Sequence, residues 1–130
     1  MNNFTTLGRI LFAIPFGLFG INHLFLYDWY VGNFTSFLPI GPFSVVTTGI
    51  IMILVSISII TKKYITLSTQ VLAVMLLIFI AAIHIPHLIN GEDTTMVTIT
   101  LLKDISLIGG SLMISGMCSK EDSQNTTTKN

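Results

Sequence analysis

Four stretches of this 130-residue chain lack the regularly spaced polar positions of a water-soluble element. They cover about residues 7–27, 43–60, 65–89 and 97–117. The first reads LGRILFAIPFGLFGINHLFLY and the last VTITLLKDISLIGGSLMISGM. A bilayer-spanning helix needs roughly 20 mostly apolar residues, and each stretch is near that length. β-Branched residues crowd the second stretch, and alone they would favour a strand. Four such runs, however, leave no polar face for a soluble sandwich, and a backbone in lipid must bond to itself. The pattern predicts an all-α protein: an antiparallel four-helix transmembrane bundle forming one domain over residues 1–119. A polar tail, SKEDSQNTTTKN, follows, and its residues 120–130 are expected to be disordered.

Composition agrees with lipid as the solvent. The chain is 52% hydrophobic and 9% charged, against about 25% charged in soluble domains. Its net charge is zero, so nothing suggests a nucleic-acid partner. The single cysteine, Cys118, excludes an internal disulfide and any CxxC motif. A single basic residue at the amino end, and no small-x-small site after the first run, speak against a signal peptide.

Loop charge sets the expected orientation. Arg9 lies at the start of the first run, Lys62 and Lys63 follow the second, and Lys120 and Lys129 follow the fourth. The loops DWYVGNFTSFLPIGP (28–42) and NGEDTTM (90–96) carry only Asp28, Glu92 and Asp93. Basic residues favour the cytoplasmic side, so both termini are expected there, in a cell (inner) membrane. The first outer loop holds Trp29, Tyr30, Phe34 and Phe37, which read as an aromatic belt on the bilayer surface or as a lid over a site. Pro39, Gly41 and Pro42 then break the chain before the second run.

On this topology the rare polar residues collect on one side. His23, His84, His87, Lys103 and Asp104 all fall within roughly 12 Å of the outer boundary at 1.5 Å per residue. Helical spacing puts Arg9, Ala13, Phe16, Gly20, His23 and Tyr27 on one face of the first helix. Thr100, Asp104, Ser111 and Ser115 form a stripe on the fourth. A carboxylate at that depth costs several kcal/mol unless paired or facing a cavity, so the stripe should face the bundle. His84 and His87, three residues apart, share a face. Pro86 lacks an N–H and crowds the carbonyl of Ala82, which predicts a kink there or a loosened exit from the membrane. Lys103 has a stem long enough to snorkel to the surface. Arg9 reads as a lipid-headgroup anchor, and Cys118 as an inert residue at the inner end. Gly8, Gly17, Gly20, Gly49, Gly109 and Gly110 allow close helix approach.

The order of these motifs resembles the DoxX family of small four-helix bacterial membrane proteins. The matching segments run over about residues 7–117. LGRILFAIPFGLFGINHLF resembles that family's first helix, with its early arginine and its histidine-bearing end. SFLPIGP and TTGIIMILVSISIITKK resemble its proline-containing loop and second helix. AAIHIPHLIN resembles the end of its third helix, and TITLLKDISLIGGSLMIS its fourth, with a Lys-Asp pair. Gly20, His23, Lys103 and Asp104 match the pattern more closely than Pro86 and His87. The resemblance implies an accessory subunit of a membrane redox complex, linked to quinone, whose partners are lipid and a soluble or membrane oxidoreductase subunit or further copies of itself. It does not by itself imply catalysis.

The residues admit several chemistries. Asn22, His23, His84, His87, Lys103 and Asp104 among Phe and Leu would supply hydrogen bonds beside an apolar slot, as a quinone headgroup needs, or would relay protons. Imidazoles also suit haem, with His23 and His84 on facing helices, or a transition metal, although four metal ligands are not evident. A non-catalytic scaffold, whose polar groups only lock helices together, is the alternative from another class.

Overall fold

The computed structural model describes residues 2–34, 41–91 and 93–128, and all its regular elements are helical. Four helices are long and apolar enough to cross a membrane: Asn3–Phe25, Gly41–Thr61, Ile65–Ile89 and Thr94–Thr127. These are the lengths and compositions of a multi-pass membrane protein. The chain divides into two compact units, Met1–Tyr64 and Ile65–Asn130.

The first unit contains α1 (Asn3–Phe25), α2 (Tyr27–Phe34) and α3 (Gly41–Thr61). The Asn2 side chain caps α1 by accepting from the Phe4 amide at 3.2 Å. The face of α1 that the spacing predicts is the face the fold hides: Arg9, Ala13, Phe16 and Gly20 are all buried, and His23 and Tyr27 are half-buried. They pack on an equally regular face of α3 that includes Val45, Gly49, Met52, Ser56 and Ile59. Gly20 meets Gly49, Gly17 meets Ser56, and Arg9 reaches Ile59 and Ile60. Residue numbers fall along α3 as they rise along α1, so within this unit the two helices run in opposite directions.

The glycines decide how closely they approach. A methyl at Gly20 would sit 2.7 Å from the Gly49 carbonyl oxygen, and one at Gly49 would sit 3.0 Å from the Gly20 oxygen. Backbone meets backbone there, as small residues permit in lipid. Gly8 and Gly109, expected to serve the same purpose, make no such contact: a methyl added at either would find nothing within 4 Å. A small residue permits an approach but does not create one.

Arg9 differs most from its expected role. It is buried, and its Nη1 donates to the carbonyl oxygens of Ile59 and, at 3.0 Å, Ile60. These carbonyls lie in the last turn of α3, where no intrahelical donor follows. The arginine therefore caps a neighbouring helix from the side. The segment 28–42, expected as a surface belt or lid, contains α2, which packs on α1 and α3. Phe37 and Pro39 lie outside the described residues, and nothing is described of the Phe34 side chain.

The second unit pairs α4 (Ile65–Phe79), followed by a π-helical turn (Ile80–His84) and α5 (Ile85–Ile89), with α6 (Thr94–Thr127). Thr69, Leu72, Ala73 and Leu76 on α4 are buried, as are Asp104, Ser111, Ser115 and Cys118 on α6. Of the predicted stripe, only Thr100 stays half-exposed, and Cys118 extends it. Ser111 Oγ donates to the Thr69 carbonyl at 2.5 Å. The irregularity expected near Ala82 is the π turn, in which the Ile85 amide bonds to the Ile80 carbonyl five residues back. Pro86 explains it: without its N–H the regular bond to Ala82 cannot form, and the ladder shifts by one residue. Residues 120–127, expected to be disordered, continue α6 as helix. Hydroxyls there bond back one turn, with Ser123 donating to the Ser119 carbonyl at 3.0 Å and Thr126 to that of Asp122 at 2.9 Å.

Candidate functional site

Asp104 is the acidic group hidden in α6, its side chain 6% exposed. Residues 100 to 108 of that helix are otherwise apolar except for Thr100, Lys103 and Ser106. Two cations or potential cations face its two oxygens. His84 Nδ1 lies 3.6 Å from Oδ2, and Lys103 Nζ lies 3.6 Å from Oδ1. At that separation both are ion-pair contacts, longer than the 2.7–3.2 Å of a hydrogen bond. His84 Nδ1 is buried and has no hydrogen-bond partner. Lys103 is half exposed, so its stem follows the helix surface while its ammonium stays beside the carboxylate.

Local sequence builds this arrangement. Each residue of an α-helix turns about 100° from the last, and a π turn inserts one residue into that rhythm. The π turn ends on His84, and both it and α5 pack on α6. The turn that Pro86 imposes therefore sets the direction in which the His84 ring leaves the helix. His87 takes a different direction. Its Nδ1 lies 2.7 Å from the Ile83 carbonyl oxygen. A carbonyl only accepts, so Nδ1 carries the proton and Nε2 holds the lone pair when the ring is neutral. The shared face expected for His84 and His87 thus serves two different contacts.

Asn22 and His23 belong to the first unit and form a second polar group with α2. His23 Nδ1 donates to the Phe19 carbonyl at 2.8 Å. Tyr30 stacks on the imidazole with ring centroids 4.0 Å apart and planes 19° apart. Trp29 meets Tyr30 edge-on at 5.1 Å. Burial pushes the Tyr30 phenol above its ordinary pKa, and a hydrogen bond with the Asn22 side chain opposes that shift. Sequence reading missed Tyr30 as a partner of His23. The available signal was the spacing of Tyr27, Tyr30 and Phe34, which suits a short helix rather than a loop.

Among the described residues no cluster of three or more His, Cys, Asp or Glu side chains is arranged to hold a metal ion. His23 and His84, the pair considered for haem, lie in separate units. In chemical terms the His84–Asp104–Lys103 group can donate hydrogen bonds from an imidazole and an ammonium, and can hold or pass a proton. Comparison with family models, with curated proteins and with solved structures gives no match.

Proposed function

We propose that the chain is a DoxX-like accessory subunit of a membrane redox complex, holding a quinone-like lipid headgroup at His84, Lys103 and Asp104. In this reading the four helices form an antiparallel bundle in a bacterial inner membrane with both termini cytoplasmic, as the loop charges favour. One observation carries the proposal: a buried carboxylate flanked at 3.6 Å by an imidazole and an ammonium, with His84 Nδ1 buried and unsatisfied. A buried polar atom without a partner costs about 1–3 kcal/mol. A carbonyl oxygen from a ligand would recover that cost. Quinone carbonyls accept from both donor types present, and the ring suits apolar walls. His84 would then be donor and proton carrier, Asp104 its acceptor, and Lys103 the charge partner. No contact with the headgroup is assigned to His87, Asn22 or His23.

The test is binding of a short-chain quinone to the full chain purified in neutral detergent, with thermal unfolding followed in parallel. His84→Ala and Asp104→Asn should each weaken binding roughly ten- to a hundredfold, the loss expected of a charged hydrogen bond. Unchanged affinity in both variants rules the site out. A specific observation favours the scaffold reading as second: Arg9, Ser56 and Ser111 all bond across paired helices to backbone carbonyls. That reading predicts lower unfolding temperatures in the same variants and no quinone binding by the unaltered protein. A Soret band in the purified protein would point instead to haem.

A further inference from the structure

We infer that the His84–Asp104 site takes its ligand preferentially in the reduced, hydroxylated form, a hydroquinone, rather than as the quinone. This rests on the reading of that site as a quinone-headgroup site and adds which redox state it favours. His84 Nδ1 and Asp104 Oδ2 are 3.6 Å apart. Nδ1 is buried without a hydrogen-bond partner, and the Asp104 side chain is 6% exposed. A carboxylate has lone pairs and no proton to give, so Nδ1, which faces it, carries the ring proton of the neutral imidazole. The gap between the two atoms therefore holds one proton, on the histidine.

One oxygen atom can reach both sides of such a gap, at about 2.9 Å from the nitrogen and about 2.7 Å from the carboxylate. What that oxygen carries decides how well it fits. A quinone carbonyl accepts from Nδ1–H and has nothing to offer Oδ2. It sets its own partial negative charge against a buried carboxylate oxygen, where the low local dielectric makes the mismatch costly. A hydroxyl accepts from Nδ1–H with a lone pair and donates its own proton to Oδ2. One group then answers both atoms, and the bond to the carboxylate is of the charge-assisted kind. The other carboxylate oxygen, Oδ1, lies 3.6 Å from Lys103 Nζ. The difference between the two ligands therefore falls on Oδ2.

A quinone and its hydroquinone differ by two protons and two electrons and have nearly the same outline. Apolar walls contribute alike to both, and the hydroxyl proton separates them. A hydrogen bond to a charged acceptor changes affinity by roughly tenfold or more. Tighter binding of the reduced form raises the midpoint potential of the bound couple. For two electrons, each factor of ten corresponds to about 30 mV.

The experiment is anaerobic equilibrium binding to the full chain in neutral detergent. The probes are tetramethylbenzoquinone, its hydroquinone, the dimethyl ether of that hydroquinone, and dioctanoylglycerol as a lipid with an aliphatic hydroxyl. The hydroquinone should bind about tenfold more tightly than the quinone. The ether, which has lost both hydroxyl protons, and dioctanoylglycerol should bind more weakly than the hydroquinone. In Asp104→Asn the charged acceptor is gone, so the hydroquinone should lose more affinity than the quinone and their ratio should fall toward one. A redox titration of the bound ligand needs no variant to fold. It should place the midpoint about 30 mV above that of the free couple. Equal binding of the two redox forms, or tighter binding of the quinone, overturns this inference and leaves the quinone site standing. So does an unchanged ratio in folded Asp104→Asn protein. Dioctanoylglycerol binding as tightly as the hydroquinone also overturns it, by showing a site for any hydroxyl. Binding of neither redox form overturns both this inference and the quinone reading.

Discussion

Replacing Gly20 by alanine tests the close crossing of α1 and α3. The added carbon would lie 2.7 Å from the Gly49 oxygen, 2.7 Å from Ile53 Cγ1 and 3.0 Å from the Ile53 nitrogen. Ordinary contact begins near 3.4 Å, so the helices must separate by about 3.4 − 2.7 = 0.7 Å. The Ile53 side chain can rotate away, but the carbonyl oxygen and the amide nitrogen are backbone and cannot. Overpacking of this kind costs about 1–3 kcal/mol. Alanine in a helix recovers at most about 1 kcal/mol. With that recovery subtracted in full, the net expectation is a loss of about 0–2 kcal/mol. Gly109→Ala is the control, because nothing lies within 4 Å of its new methyl. It should be neutral or stabilising by up to about 1 kcal/mol. Unfolding in mixed micelles of rising dodecyl sulfate content, followed by circular dichroism, measures both. If Gly20→Ala unfolds at the same detergent fraction as Gly109→Ala, the crossing is not where the glycine geometry places it.

Other consequences are simpler to state. Ser56→Ala and Ser111→Ala each remove one cross-helix hydrogen bond, of 2.9 and 2.5 Å, and should cost about 0.5–1.5 kcal/mol in the same unfolding assay. Tyr30 holds its proton above pH 10 in the folded protein because it is half-buried, while the unfolded chain releases it near 10. Folding stability should therefore fall as pH rises through 10. Tyr30→Phe should remove that dependence, together with the part of the tyrosinate absorbance that appears at the highest pH. Pro86→Ala restores the missing N–H and should convert the π turn to regular helix. Under the quinone proposal, affinity should then fall while the unfolding temperature holds or rises; unchanged affinity in a protein that does bind quinone would show that the π turn does not aim His84.

Much of this was legible in the sequence because helices in lipid follow a simple period. Spacings of three and four placed Arg9, Ala13, Phe16 and Gly20 on one face, and the fold buries those four. The same period found Asp104, Ser111 and Ser115. Pro86 announced the irregularity by chemistry alone, since no proline can donate to the carbonyl four residues back. What stayed hidden depended on partners distant in sequence. Arg9 shows in the sequence as a cation near the end of an apolar run, which also describes a surface anchor. Its burial follows from the carboxyl end of α3 lying beside it, 50 residues later in the chain. The His23–Tyr30 stack was hidden because the chain breaks helix at Leu26 between them, so a single helical wheel cannot relate the two. The helical tail was missed for a local reason. Ser and Thr suggest disorder by composition, yet here the segment is helical and their hydroxyls bond back one turn to its carbonyls.

Among the described residues the first unit buries the basic Arg9 and the second the acidic Asp104, and the two are held in different ways. Arg9 is held by two backbone carbonyls. Carbonyls do not titrate, and an arginine keeps its proton in proteins. That contact has one state, which suits a fixed clamp between helices. Asp104 is held by two side chains, His84 and Lys103, each 3.6 Å from one of its oxygens. His84 Nδ1, 3.6 Å from the carboxylate and without a hydrogen-bond partner, is the atom of this group left open to a polar ligand atom. The placement of His84 and Lys103 around one buried carboxylate is the feature on which the proposal for the second unit rests.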